Sequence, residues 1–185
     1  SLIDALDLPV DILHAHDWPA GLTPLYHELA QRSAPSPASR KRATVFTVHN
    51  AGYQGLFSPQ RAADLQLDER ELEAADAYHL GQLSFLRAGL RLSDSVTTVS
   101  QTHAAELQTR EGGFGMDALY RSRSEDLWGV LNGIDYARWN PSSDPYVPVS
   151  FDANTLERKA EAKRALQAEA GLPVDREVPL IAMIG

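Results

Sequence analysis

The 185-residue sequence carries 17 Lys and Arg against 25 Asp and Glu, a formal net charge of −8 that argues against a nucleic-acid partner. Its hydrophobic share of 43 % is that of a globular protein, enough for one ordinary domain or for parts of two. There is no cysteine, hence no disulfide, thiolate metal site or cysteine nucleophile, and no stretch approaches the roughly 18 apolar residues of a membrane span or reads as a secretory signal.

The apolar run 10–13 is short enough for a buried strand and ends at His14, His16, Asp17 and Trp18. Leu22, Leu25, Tyr26 and Leu29 then predict a helix to about residue 32. Residues 33–39 are a Pro/Ser surface loop, and the basic residues 40–42 end it. Residues 43–48 (Ala-Thr-Val-Phe-Thr-Val) read as a buried parallel strand that delivers His49 and Asn50 to the same sheet edge. A Gly-rich loop covers 51–59, an acidic helix 64–77 and a mostly buried helix 80–92. Residues 95–100 are a third strand, followed by a helix over 101–109 with Thr102 as a possible cap. The order β-α-β-α-β-α implies an α/β fold, a Rossmann-like parallel sheet with helices on both faces, and right-handed crossovers bring the strand ends to one edge.

Beyond Arg110 the texture changes. Residues 111–115 are expected to be flexible, 127–131 form a short strand, and 139–149 an irregular connector. Asn154 is placed to cap a helix that ends at Gly171. The run 179–185 reads as a last strand that a free terminus would leave unpaired, and Ser1 is not an initiator methionine, so a piece of a longer protein is expected. The division between domains falls near residues 107–115, taken as 1–108 and 109–185.

Three clusters carry chemistry. His14, His16 and Asp17 form a polar binding edge; alternation puts the two imidazoles on one side and Asp17 on the other. Two histidines fall short of the three or four ligands of a metal site, and the competing reading for His14 is a core imidazole bonded to backbone carbonyls. His49, Asn50, Tyr53 and Gln54 offer matched donors and acceptors and a ring face, as a sugar requires, while Asn50 alone also fits a simple turn. Asn132 and Asp135 read as a turn or as a cleft lining beside Trp139. No Walker motif, dinucleotide fingerprint or nucleophile elbow is present, and Ser100 reads as a helix-start hydroxyl.

Taken together, residues 14–22 (His-Ala-His-Asp-Trp-Pro-Ala-Gly-Leu), 44–50 (Thr-Val-Phe-Thr-Val-His-Asn), 53–57 (Tyr-Gln-Gly-Leu-Phe), 84–90 (Ser-Phe-Leu-Arg-Ala-Gly-Leu), 96–100, 129–135 (Gly-Val-Leu-Asn-Gly-Ile-Asp), 139–141 (Trp-Asn-Pro) and 159–163 resemble, in order, the bacterial glycogen synthase and plant starch synthase family. The departures are Gln101-Thr102-His103 for the family's Pro-Thr-Tyr, and Ala51-Gly52 for its Leu-Ala. The resemblance implies a two-domain GT-B-type glycosyltransferase. Such an enzyme moves glucose from ADP-glucose to the non-reducing end of an α-1,4-glucan with retention, with no metal and no cofactor. Its partners would be a nucleotide sugar and an α-glucan, its location the bacterial cytoplasm or the plant plastid. By resemblance His16 is catalytic, holding the donor glucose and easing an oxocarbenium-like transition state. Substrate-binding roles fall to His14, Asp17, Asn50, Tyr53, Gln54, Asn132 and Asp135, the last two at the domain junction. Residues 1–108 would end the acceptor-side domain and 109–185 would connect to and begin the nucleotide-sugar domain. The resemblance also implies that the Arg and Lys that hold the diphosphate follow Gly185, so the piece by itself is expected to be inactive. The rivals are a related transferase using UDP-glucose, a non-catalytic glucan-binding module, and a metallohydrolase built on His14 and His16.

Overall fold

The computed structural model describes residues 2–6, 8–33 and 42–183. The expected Pro/Ser loop after Ser33, the basic residues 40 and 41, and the last two residues of the expected final strand lie outside them. The chain divides into two compact units, Ser1–Asn132 and Gly133–Gly185.

In the first unit a short helix α1 (Leu2–Ala5) precedes strand β1 (Ile12–His16), a 3-10 turn at Trp18–Ala20 and helix α2 (Thr23–Ser33). Strand β2 (Ala43–Val48) follows, then β3 (Leu56–Phe57), a 3-10 segment at Pro59–Leu65 and α3 (Glu69–Ala74). Next come β4 (Tyr78–His79), β5 (Gln82–Ser84), α4 (Phe85–Leu92), β6 (Ser95–Thr98), α5 (Gln101–Leu107), α6 (Asp117–Ser122) and β7 (Leu127–Gly129). Strands β1, β2, β6 and β7 form a parallel sheet in that order.

Because the order never reverses, right-handed crossovers carry the helices that connect these strands to the same side. The buried face consists of Ala15, Phe46, Val48, Val96, Thr98 and Leu127, and Leu86, Leu90, Leu107, Met116 and Tyr120 pack in the same core. The other face carries Ile12, His14 and His16 of β1, Val45 and Thr47 of β2, Thr97 of β6 and Trp128 of β7. It stays open, with Ile12 57 % and Trp128 59 % exposed. The sequence expectation of helices on both faces is therefore met on one face only among the described residues, and β1 is an edge strand rather than a buried one.

A second sheet was not foreseen. β3, β5 and β4 pair antiparallel in the order β3-β5-β4. The helix expected from residue 80 begins only at Phe85, where the Ser84 hydroxyl caps it by accepting the Arg87 N–H at 3.2 Å. Leu80 and Gly81 instead form a two-residue hairpin loop, both with positive φ (50° and 76°), the pattern of a type I′ turn. The acidic helix is shorter than expected. Asp68 and Glu71 close a capping box at its start, and the backbone leaves the helix after Ala75. The cap of α5 is Ser100, not Thr102: its hydroxyl accepts the His103 N–H at 2.9 Å. Residues 111–115, expected to be flexible, are hydrogen-bonded turns, with Gly113 N donating to Thr109 O at 2.9 Å and Met116 N to Gly113 O at 2.9 Å.

The expected division at 108–109 does not separate the units. α6 and β7 lie beyond it, yet β7 pairs with β6 and completes the first sheet, and the units meet at Asn132–Gly133.

The second unit holds a 3-10 turn at Leu156–Arg158 and helix α7 (Lys159–Glu169). Asp152 rather than Asn154 organises its start, its Oδ1 accepting the N–H groups of Asn154 (2.8 Å) and Thr155 (2.9 Å). Gly171, at φ 67°, ends it in a Schellman turn, with Leu172 N donating to Gln167 O at 2.9 Å and Gly171 N to Ala168 O at 3.1 Å. The expected last strand is absent over 179–183, because the described residues of this unit offer no strand to pair with.

Candidate functional site

Pleating decides which polar groups meet. The register pairs His14 with Val45 and His16 with Thr47, so even residues of β1 share a face with odd residues of β2. Continuing that alternation past the end of β2 brings His49 beside His16. The two rings touch, with His16 Nδ1 3.0 Å from His49 Nε2. His14 stacks on the other side of His16, ring centroids 4.2 Å apart. Both β1 histidines keep more than a third of their surface exposed, which overturns the core alternative for His14 even though part of its ring is covered. Its Nε2 is held by Thr47 Oγ1 at 2.7 Å, and Thr47 Oγ1 lies 2.6 Å from Thr97 Oγ1. A hydroxyl chain thus runs across the open face into the imidazole stack. Partial burial, with the neighbouring His16 and His49 rings, holds the His14 pKa below the ordinary imidazole value.

Asp17 turns away from the stack, as alternation requires. Its φ of 54° lets its own N–H reach Thr47 O at 2.9 Å while its Oδ1 accepts the backbone N–H of His49 at 2.8 Å and of Asn50 at 3.4 Å. One carboxylate therefore joins the tips of β1 and β2 and aims the His49–Asn50 turn. Asn50 Oδ1 accepts the Gly52 N–H at 3.0 Å, an Asx turn. Gln54 Nε2 donates to Phe114 O at 2.8 Å, linking this loop to the turn after α5. Tyr53 is 67 % exposed, and its side chain makes no such tie among the described residues; its N–H donates to Asn50 O at 3.3 Å. Trp18 is not an open platform: it packs on Phe57 and Phe85 (centroids 5.8 and 6.5 Å), and Gly55 at φ 59° leaves no room there for a Cβ.

Asn132 ends the first unit, exposed. Asp135, in the second, accepts the N–H groups of Ala137 (3.0 Å) and Arg138 (3.3 Å) and so closes a turn, the plainer of its two sequence readings. Among the described residues no three His, Asp or Glu side chains converge on a metal position.

Four residues escaped the sequence reading. Thr47 and Thr97 were legible in principle, since strand alternation puts them on the histidine face. Tyr120 is 1 % exposed; its hydroxyl has no hydrogen-bond partner among the described residues, and burial, with the Asp17 carboxylate adding, pushes its pKa up. Phe114, at φ 49°, borders a cavity of about 370 Å³ lined also by His103, Glu106, Thr109, Glu111 and Gly112. His103 is fixed there by a 2.7 Å contact of its Nδ1 with Thr98 Oγ1.

A family profile described as the starch synthase catalytic domain matches residues 1–122. A glycogen synthase of Thermotoga maritima is 43 % identical over 99 % of this chain, and one of Anaeromyxobacter dehalogenans 47 % identical over 97 % of it. In both cases the match takes in 37 % of the relative, so the chain spans a little over a third of the length of the curated relatives it matches. The solved catalytic domain of Arabidopsis thaliana starch synthase IV, bound to ADP and acarbose, superposes with a TM-score of 0.76 at 34 % identity, over 92 % of this chain and 35 % of that one.

Proposed function

Because this chain belongs to the starch synthase catalytic-domain family, we propose that it is the strand-tip portion of an enzyme that transfers glucose from ADP-glucose to the non-reducing end of an α-1,4-glucan, retaining the anomeric configuration. The observation that carries the reading is the imidazole pair at the carboxyl ends of β1 and β2, the place where open parallel sheets bind ligands. The two molecules bound by starch synthase IV, ADP and acarbose, supply the chemical classes: a nucleoside diphosphate and a glucan-like oligosaccharide.

In this reading His16 is the catalytic residue, its Nε2 directed at a hydroxyl of the donor glucose. Retaining glucosyl transfer builds positive charge on the sugar as the diphosphate leaves, and a fixed polar group beside it stabilises that charge without reorganising. Asn50 and Tyr53 contact sugar, through the amide nitrogen left free by the Asx turn and through the exposed ring. His14 buttresses His16. Asp17, Gln54 and Asp135 spend polar atoms on backbone groups, so their part in binding is to shape the loops that carry it. Asn132 faces ligand at the end of the first unit. We assign the first unit to the acceptor side and the second to the approach to the nucleotide-sugar domain. The donor is a substrate, and no resident cofactor or metal enters the scheme. No helix of the described residues is long and apolar enough to cross a membrane.

None of the residues assigned to the site is Lys or Arg, and diphosphate departure needs positive charge. The chain alone is therefore inactive in this scheme. The test uses the full-length protein with ADP-glucose and glycogen. His16→Ala should cut turnover by about 10²–10⁴-fold with little loss of thermal stability. Turnover unchanged by that substitution would reject the assignment.

A further inference from the structure

The contact between the two strand-tip imidazoles carries an inference that rests on the glucosyl-transfer reading and deepens it. Neutral rings with His16 Nδ1 and His49 Nε2 3.0 Å apart hold one proton between them. One ring donates and the other accepts, so the tautomer of each dictates that of the other. His16 is also covered on one face by His14, itself anchored to Thr47 Oγ1 at 2.7 Å. His49 in turn hangs from a backbone N–H that Asp17 Oδ1 holds at 2.8 Å. His16 is thus fixed in rotation by one neighbour and in tautomer by another, and only its Nε2 remains for a ligand.

We propose that His49 is a positioning residue whose Nε2 accepts the Nδ1–H of His16, so that His16 presents the lone pair of Nε2 to a hydroxyl of the bound sugar. The polarity follows from charge. A glucosyl group becomes cationic as its leaving group departs. An N–H aimed at it would oppose that charge, whereas a lone pair accepts the sugar O–H and favours it. His49 does not touch the sugar; it acts through His16.

Two measurements on the full-length protein test this. In kinetics, His49→Leu removes the acceptor and should lower kcat about 10–100-fold, the scale seen when groups that orient an imidazole ligand are removed, with KM for ADP-glucose and glucan nearly unchanged. His49→Gln, whose amide oxygen can accept in the same place, should restore most of kcat. In nitrogen-15 NMR of histidine-labelled protein, His16 should be the Nδ1–H tautomer in the wild type and a tautomer mixture in His49→Leu. An Nε2–H tautomer at His16 in the wild type overturns the inference even if the Leu variant fails to fold. So does a His49→Leu variant with wild-type kcat. Failure of the parent reading looks different: there, His16→Ala itself retains turnover, or the wild type elongates no glucan with ADP-glucose.

Discussion

His14 and His79 sit far apart in the sequence yet share one electrostatic condition. Burial and the rings of His16 and His49 hold the His14 pKa below its ordinary value of 6.5, and burial followed by the Arg87 charge does the same for His79. A folded-state value below the unfolded one means that the unfolded chain binds the proton first as pH falls. The stability these histidines leave intact is full above pH 6.5 and is lost as pH drops through that value toward their folded-state pKa values. The melting temperature should therefore fall between about pH 7 and about pH 5, and His79→Gln should make that fall shallower. Identical pH–melting curves for wild type and variant would dispose of the assignment. At this scale the sequence was informative about direction and poor about partnership. Two histidines spaced two apart on a strand must share a face, and their rings stack. Nothing local in the sequence tells whether Asp17, Gln54 or Asp135 turns toward a ligand or toward nearby backbone, because an Asx-type turn and an open site use the same residue types.

Whole elements were legible where one period ran long enough to exclude the other. β2 falls on the predicted residues 43–48 because its β-branched run is continuous and its neighbours bury it. The stretch 80–92 misled because Leu83, Leu86 and Leu90 keep helical spacing while Leu80 does not share their environment. Gly81 was the warning, and its positive φ makes the turn that sends the chain back as β5. Leu80 is 87 % exposed and sits at φ 50°, a region that costs an ordinary L-residue about 1–2 kcal/mol and that asparagine tolerates. Leu80→Asn should accordingly stabilise the chain by about 0.5–1 kcal/mol, read as a higher denaturant midpoint at unchanged slope. A lower midpoint would mean that the exposed leucine contributes packing the hairpin needs.

At the scale of the molecule, the change of texture after Arg110 does not coincide with the division between the compact units, which falls at Asn132–Gly133. Glycines and short elements there mark the tight turns between α5 and α6, and compositional change does not distinguish a linker from a well-packed loop. What decides the matter is where the backbone hydrogen bonds and the apolar side chains go. Met116, Leu119, Tyr120 and Leu127 belong to the first core, and β7 covers the edge of β6. Burial of each such side chain is worth about 1.5–3 kcal/mol, against a total domain stability of about 5–15 kcal/mol. A chain ended at Gln108 loses all four and leaves β6 as an unpaired edge, whereas one ended at Asn132 keeps the four-stranded sheet and both apolar clusters whole. The 1–132 chain should then give a cooperative thermal transition by circular dichroism, and the 1–108 chain should give none or aggregate through its bared edge. A cooperative transition of equal midpoint in the shorter chain would return the boundary to residues 107–115 and make α6 and β7 an appendage of a core that is complete without them.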